Sequence, residues 1–278
     1  AIIVTLMMLT GTVLLWDATH QSFPIEGVTP SHAAGSEGWV IGVEEPAAGE
    51  FLVTIWNVSE EISITAGGQD WGSMPNIEIS GDSLVLFGQN RIDYFELNGT
   101  QSVIIEPKFS RFEIIAISDL SVGYSSGGIP YIAYVQNNQL MVIDDREESI
   151  AVTINSTDFT IIDAAGSKIA WAIETEFGPA VNISSPFNPS LAIQIAIQEF
   201  SDEIIDQHLT DIYGIEVDYK HSTIIDLAMD GRHILAVVDV GPVNRVILID
   251  TVTGEQLLLS DPAWPASSPS IADGQIVF

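Results

Sequence analysis

Apolar residues form one uninterrupted block only at the start of the chain. Residues 1–16 are wholly apolar except for three threonines and Gly11. A helix of this kind must be buried on every side. Continued to Phe23 it would be about 34 Å long at 1.5 Å per residue, and Pro24 would end it. The pattern therefore predicts a hydrophobic α-helix over residues 1–23.

After this block the pattern changes twice. Residues 24–38 are rich in Gly, Ala, Ser and Pro, which predicts a linker. From residue 39 to residue 278, short apolar runs alternate with turn residues, which predicts a mainly β head. Within it, residues 191–198 alternate as a strand does. Residues 201–214 have the period and the flanking Ser and Gly of one helix.

Two sequence phrases recur in the head. The first is an apolar pair, a small or acidic residue, a Gly-containing turn and an alternating strand; it occurs at 77–87, 114–124, 161–171, 224–238 and 270–278. The second is an alternating strand that runs into a polar turn, at 51–64, 91–101, 139–149 and 245–259. Small sheets that repeat every 40 to 50 residues or so are typical of propeller blades. We expect a five- or six-bladed β-propeller head, with an immunoglobulin-like β-sandwich as the alternative.

The recurring phrases resemble TolB-like and WD40-like propeller repeats. The resemblance is carried by loose elements such as the Thr-Gly-Glu at 253–255. The Trp-Asp dipeptide of true WD40 repeats is absent from its place. The resemblance implies the propeller fold and names no ligand.

Charge narrows the function more than any motif does. The chain has 38 acidic and 8 basic residues, a net charge of −30, and no cysteine. Nucleic-acid binding needs clustered Lys and Arg, so it is excluded as a function. The acidity fits either a surface adapted to high salt or an acidic domain with no special habitat.

The sequence contains no signature of catalysis. Phosphate-binding loops, the G-x-S-x-G elbow and metal-binding histidine spacings are all absent, so we predict no enzyme activity, no cofactor and no metal site. The pattern N-x-[ST] occurs four times and predicts N-linked glycans at Asn57, Asn98, Asn155 and Asn182.

The leading apolar segment resembles the N-terminal helix of archaeal type IV pilins and archaellins. In that class a peptidase removes a charged leader, and the exposed helices pack together as the core of a filament. The residues of matching type are Ile2, Ile3, Val4, Leu6, Met7, Met8, Leu9, Val13, Leu14, Leu15 and Trp16.

The pilin resemblance implies a structural subunit of an extracellular, cell-surface filament. Its partners would be identical subunits, and it would sit in the membrane before assembly. A simple membrane anchor and a remnant signal segment are the alternatives for the helix. For the whole protein, the alternatives are a membrane-anchored propeller that binds a glycan or a protein, and an exported hydrolase.

Overall fold

The computed structural model describes fifteen segments of the chain: residues 12–16, 22–26, 32–36, 38–47, 50–57, 62–66, 73–88, 91–97, 104–112, 117–137, 139–143, 149–152, 161–260, 269–272 and 275–278. The chain divides into two compact units, Ala1–Ile115 and Ala116–Phe278. The described elements are strands with one helix, so the expectation of a mainly β protein is confirmed.

Eleven described strands belong to the first unit. They are β1 Thr12–Trp16, β2 Ser22–Glu26, β3 His32–Ser36, β4 Trp39–Ala47, β5 Glu50–Asn57, β6 Ile62–Ala66, β7 Asn76–Ser80, β8 Ser83–Phe87, β9 Arg91–Glu96, β10 Ile104–Ile105 and β11 Phe109–Phe112. They form a two-stranded sheet β1-β2, a five-stranded sheet β10-β6-β5-β4-β3 and a four-stranded sheet β11-β9-β8-β7.

The predicted N-terminal helix is wrong where the structure describes it. Val13, Leu14, Leu15 and Trp16 lie on β1, which pairs antiparallel with β2. Threonine, valine, tryptophan, phenylalanine and isoleucine favour strands, and these two segments are rich in them. An apolar run of this length does not by itself distinguish strand from helix. The other predicted assembly residues, Ile2, Ile3, Val4, Leu6, Met7, Met8 and Leu9, lie outside the described residues.

Two described strands also overlap residues 24–38, which the composition suggested are a linker. β2 ends at Glu26, and β3 pairs with β4 from the His32–Val43 pair to the Ser36–Trp39 pair. The domain boundaries at residues 23 and 38 stay predictions.

The core of the first unit comes from the alternation of its strands. Ile41 and Val43 on β4 and Val53 and Ile55 on β5 are fully buried, each two residues from the next. Successive side chains of a strand point to opposite faces, so this spacing places all four on one face. They pack in one apolar cluster with residues of β7, β8 and β9.

The second unit contains the remaining strands and the helix. They are β12 Ile117–Tyr124, β13 Pro130–Gln136, β14 Gln139–Ile143, β15 Ser149–Val152, β16 Ile162–Ala165, β17 Lys168–Thr175, β18 Gly178–Ser185, β19 Asn188–Ala196, α1 Glu203–Tyr213, β20 Thr223–Met229, β21 His233–Asp239, β22 Asn244–Asp250, β23 Gln256–Leu258, β24 Ser270–Ala272 and β25 Gln275–Val277. The sheets are β12-β13-β14-β15, β16-β17-β18-β19, β20-β21-β22-β23 and β24-β25.

These sheets are successive antiparallel meanders, and the recurring phrases map onto them. Residues 161–171 and 224–238 give the first two strands of a sheet, and residues 245–259 give the last two. Gly166 and Gly231 occupy the turns with positive φ, which glycine adopts without steric cost. The phrase at 114–124 differs, because it forms the single strand β12 and its turn follows at 125–129.

Neighbouring sheets of the second unit pack face to face. On β21, Ile234, Ala236 and Val238 join a cluster with residues of β17 and β18, while Leu235 and Val237 join a cluster with β24. A strand whose two faces are both buried is expected when small sheets stack on each other in series. The described strands form seven separate small sheets. An immunoglobulin-like sandwich has only two sheets, so the sandwich alternative is wrong.

The helix predicted at residues 201–214 is confirmed as α1. Asp202 caps the start of the helix, whereas the sequence predicted Ser201 as the cap. Gly214 ends the helix in the left-handed conformation. Leu209 is buried but Ile204 is 83% exposed, so the predicted apolar face is only partly used. In the described part of the chain, no helix has the length and apolar character needed to span a bilayer.

Candidate functional site

In three successive sheets of the second unit, the first strand carries an aspartate at the same place in the recurring phrase. We call β12, β16 and β20 the first strands. Asp119 lies on β12, Asp163 on β16 and Asp226 on β20. In each, Oδ1 accepts a hydrogen bond from the backbone N–H of the following residue, at 2.9, 2.7 and 2.9 Å. The repeat therefore places three carboxylates in equivalent local settings.

A β-bulge precedes two of these aspartates. Strand pairing shifts between Ile117 and Asp119 on β12, and between Ile224 and Asp226 on β20. A bulge inserts one extra residue and changes the direction of the side chains beside it. The bulge and the local hydrogen bond together position Asp119 and Asp226, whereas Asp163 lies on a regularly paired strand.

Two of the aspartates also join neighbouring first strands. Asp119 Oδ2 accepts a bond of 2.7 Å from the N–H of Ile162, and Asp163 Oδ2 accepts one of 2.6 Å from the N–H of Met229. Ser121 Oγ donates to Asp163 Oδ1 at 2.7 Å. The first strands β12, β16 and β20 are thus linked in series through carboxylate oxygens.

Among the described side chains, the three carboxylates have no cationic partner. None of the ion pairs among the described residues includes Asp119, Asp163 or Asp226. Burial, together with repulsion from Asp226, raises the pKa of Asp119 to about 6. Burial, together with repulsion from Asp119, raises the pKa of Asp163 to about 6, and burial raises the pKa of Asp226.

The raised pKa values show that the fold disfavours the ionised form of these carboxyl groups, although hydrogen bonds from nearby N–H and O–H groups partly offset the effect. Desolvation and like charges both disfavour the ionised form of a carboxyl group. All three residues are half-buried, and both carboxylate oxygens of Asp119 and of Asp163 accept hydrogen bonds within the protein. A cationic group placed here would relieve both effects. Among the described residues, no group of three or more His, Asp or Glu is arranged to hold a metal ion.

A depression away from these aspartates lies at the end of the β20–β23 sheet. It is an open groove of about 530 Å³ whose lining includes Gln198, His233, Asp250 and Gln256. Hydrogen bonds from its own turn and a 2.8 Å salt bridge to Arg232 lower the pKa of Asp250 to about 2. Because Arg232 already neutralises this carboxylate, we expect a cation to bind the groove more weakly than it binds the first strands.

The residues predicted from sequence as glycan acceptors do not converge. Asn57 is the last residue of β5, and Asn182 lies within β18 opposite Trp171 and Gln194. Asn98 and Asn155 lie outside the described residues. Glycosylation at the four positions stays a prediction.

Sequence reasoning missed the first-strand aspartates, although a signal for them was present. Ile-Ser-Asp, Ile-Ile-Asp and Ile-Ile-Asp end at Asp119, Asp163 and Asp226. An acidic residue that recurs at one position of a repeat occupies one structural setting in every copy. The acidity of the whole chain hid this regularity among many other carboxylates.

Comparison with known proteins identifies the fold and nothing finer. No protein family and no curated protein matches the chain. Among solved structures, the β-propeller domain of the Trilobed protease from Pyrococcus furiosus is similar with a TM-score of 0.61 at 9% identity, covering 94% of this chain and 78% of that one. A chain of the Mitotic Checkpoint Complex has a TM-score of 0.57 at 13% identity, covering 95% and 79%. TolB from Acinetobacter baumannii has a TM-score of 0.49 at 12% identity, covering 88% and 58%.

The protein therefore has a fold of the β-propeller class. This confirms the propeller expectation at the level of fold, and the described sheets are not closed into one continuous sheet. The N-terminal pilin-like helix has no counterpart in the described residues.

Proposed function

We propose that the chain is a propeller-type binding module for a cationic protein ligand, and that the first-strand aspartates of the second unit contact that ligand. The observation that carries the proposal is the uncompensated charge of Asp119, Asp163 and Asp226. Carboxyl groups whose pKa is raised by burial and by nearby like charges are typical of functional sites. The propeller fold supports a binding role, because this architecture presents loops and first strands to ligands.

The charge of the second unit supports a cationic partner. Residues 116–278 contain 23 Asp and Glu residues but only five basic ones. Three of the described basic side chains are engaged: Lys168 binds Gly231 O, Arg232 pairs with Asp250, and Arg245 is buried against Asp206. A field of this sign attracts basic partners and speeds their association.

The proposal takes up the binding-module alternative of the sequence analysis. The filament role depended on a helix over residues 1–23, and the strand β1 removes that basis for residues 12–16. The absence of enzyme activity, the location outside the cell and the N-linked glycans are kept as parts of the proposal. Their support is the sequence alone.

The test is binding of labelled peptides to the full chain. A lysine-rich peptide, a glutamate-rich peptide of the same length and a neutral oligosaccharide are compared by fluorescence anisotropy at two salt concentrations. We expect binding of the lysine-rich peptide only, weakening as salt screens the attraction. Equal binding of the acidic peptide, or binding of the oligosaccharide alone, would overturn the proposal.

A single-charge variant and a matched control locate the site. Asp226→Asn keeps the oxygen that accepts from the N–H of Leu227 and removes one charge, so binding should weaken about fivefold for one partly buried ion pair. Glu199→Gln removes one exposed charge elsewhere in the same unit and should change affinity less than about twofold. Equal effects of the two variants would exclude the first strands as the site.

A further inference from the structure

The outer edge of β19 differs from that of β23, the outer strand of the next sheet. β19 has nine residues, whereas β23 has three. The segment from Asn188 to Gln198 contains no charged residue. Native proteins usually shorten their edge strands or place charges on them, because an open edge pairs with other chains. β19 has neither protection, and its one proline, Pro189, lies near its start.

Hydrogen bonds at the end of β19 fix the direction of its backbone groups. The N–H of Ile197 donates to Pro179 O on β18 at 3.0 Å. In an antiparallel pair, alternate residues bond the partner strand and the residues between them point away. By this alternation, the N–H and C=O groups of Gln194 point away from β18, as the C=O of Ala196 does.

The side chain of Gln256 already uses this outward edge. Its Nε2 donates to Ala196 O at 2.7 Å, and its Oε1 accepts from the N–H of Gln198 at 2.8 Å. One side-chain amide thus makes the pair of bonds that a backbone amide of an added strand would make. The edge continues beyond this contact at Gln194, and no described strand pairs with it there.

Apolar side chains extend alongside the open edge. Leu191 is 71% exposed and Ile193 is 62% exposed, while Ile195 and Ile197 on the same face pack against the core of the unit. An added strand would cover the two exposed side chains. Its main chain would supply affinity and its side chains specificity, as in strand addition generally.

We propose that the edge of β19 binds an extended, basic segment of a partner protein by β-strand addition. The chemistry of the partner follows from charge. No Lys or Arg lies between Lys168 and Lys220, and the same stretch carries these acidic residues: Glu174, Glu176, Glu199, Asp202, Glu203, Asp206, Asp211, Glu216 and Asp218. A second copy of this chain, with its net charge of −30, would be repelled where a basic segment is attracted. The inference goes beyond the proposed function, because it concerns a different surface and does not depend on the first-strand aspartates.

The test is hydrogen exchange of the full chain with and without a synthetic peptide of alternating valine and lysine. A peptide of the same charge with proline in place of valine is the control, because proline cannot donate to a ladder. We expect the amide of Gln194 to exchange at least about tenfold more slowly with the valine peptide, and at an unchanged rate with the proline peptide. Equal protection by both peptides, or no protection by either, would overturn the inference.

Two variants and a control complete the test. Ile193→Lys places a positive charge on the edge, which repels the basic peptide. Gln194→Pro removes an outward N–H without removing a bond to β18. Both variants should abolish binding of the valine peptide, and with it the protection. Ile204→Lys, on an equally exposed isoleucine of α1, should leave it intact. Two results would contradict a basic partner at this edge. One is protection that survives Ile193→Lys; the other is a dimer of the unaltered chain, seen by sedimentation, that Ile193→Lys converts to monomer.

The first-strand site separates this inference from the proposed function. Asp226→Asn should weaken binding of the lysine-rich peptide and leave protection of β19 unchanged. If protection instead disappears with Asp226→Asn and persists with Ile193→Lys, the edge inference fails and the proposed function stands.

Discussion

The clearest consequence of the first-strand aspartates is a stability that falls as pH rises from about 4 to about 7. Asp119 and Asp163 have pKa values of about 6 in the folded protein against an ordinary value of 3.8. Below pH 4 both groups are protonated whether the chain is folded or not. Between the two pKa values the folded state binds more protons, so raising the pH destabilises it.

The size of the effect follows from the pKa values. A pKa of about 6 in place of 3.8 corresponds to about 3 kcal/mol for one carboxyl. Asp119 itself raises the pKa of Asp163, so the two contributions are partly shared, and we expect about 4 kcal/mol for the pair. The lowered pKa of Asp250 acts only below pH 4, where its salt bridge is lost, so it does not oppose this trend.

Urea unfolding of the full chain at several pH values measures the effect. Working in about 1 M salt reduces the Debye length to about 3 Å and suppresses repulsion among surface carboxylates, while desolvation of the buried ones persists. Asp163→Asn should remove about half of the slope, whatever it does to stability at one pH. Glu199→Gln should leave the slope unchanged. A free energy of unfolding that is flat or rising from pH 4 to 7 in high salt would refute the reasoning.

Two further substitutions test the packing of the second unit. Asp206→Asn leaves the fully buried guanidinium of Arg245 on β22 without its counter-charge. It should lower the free energy of unfolding by about 3 kcal/mol in thermal or urea melts. Asp211→Asn, at an exposed position of the same helix, should change it by less than about 0.5 kcal/mol. Gly123→Ala places a methyl group against the hydroxyl of Tyr131, which donates to a neighbouring sheet, and should cost about 2 to 3 kcal/mol. Gly127→Ala meets only Ser125 Oγ, at an ordinary contact distance of 3.8 Å, and should be neutral. Equal melts for the two variants would contradict the packing.

Much of the β architecture was predictable because it is written in local patterns. Alternation along 245–259 and a glycine turn near residue 231 predict strands and hairpins without any tertiary information. The helix at α1 was predictable for the same reason, since its period and its closing Gly214 are local. Stacking of sheets followed from repetition, because one small sheet leaves both faces uncovered.

The leading apolar segment was mispredicted because hydrophobicity there has no period. Residues 12–16 can be buried as a helix or as a strand, and only pairing with β2 decides between them. Pairing depends on residues outside the local window, which a segment taken alone does not reveal. Pro24, which was expected to end the helix, lies within β2 opposite Leu14.

The site could be predicted only in part. The recurring acidic residue of the phrase is visible in the sequence, but its uncompensated charge is not. That property depends on where the basic residues go, and Arg245 illustrates the point: it is fully buried against Asp206 and is unable to neutralise the first strands. The extent of the open edge of β19 could not be predicted either, because Gln256, which covers part of it, is 60 residues from its partner Ala196.

Proton release on binding tests the central claim most directly. Titration calorimetry of the lysine-rich peptide into the full chain is run at pH 6 and pH 8 in buffers of different ionisation enthalpy. If the ligand pairs with Asp119 and Asp163, which are half protonated near pH 6, binding releases up to about one proton at pH 6 and none at pH 8. Binding that releases no proton at pH 6 would contradict the assignment of the first-strand carboxylates as the site.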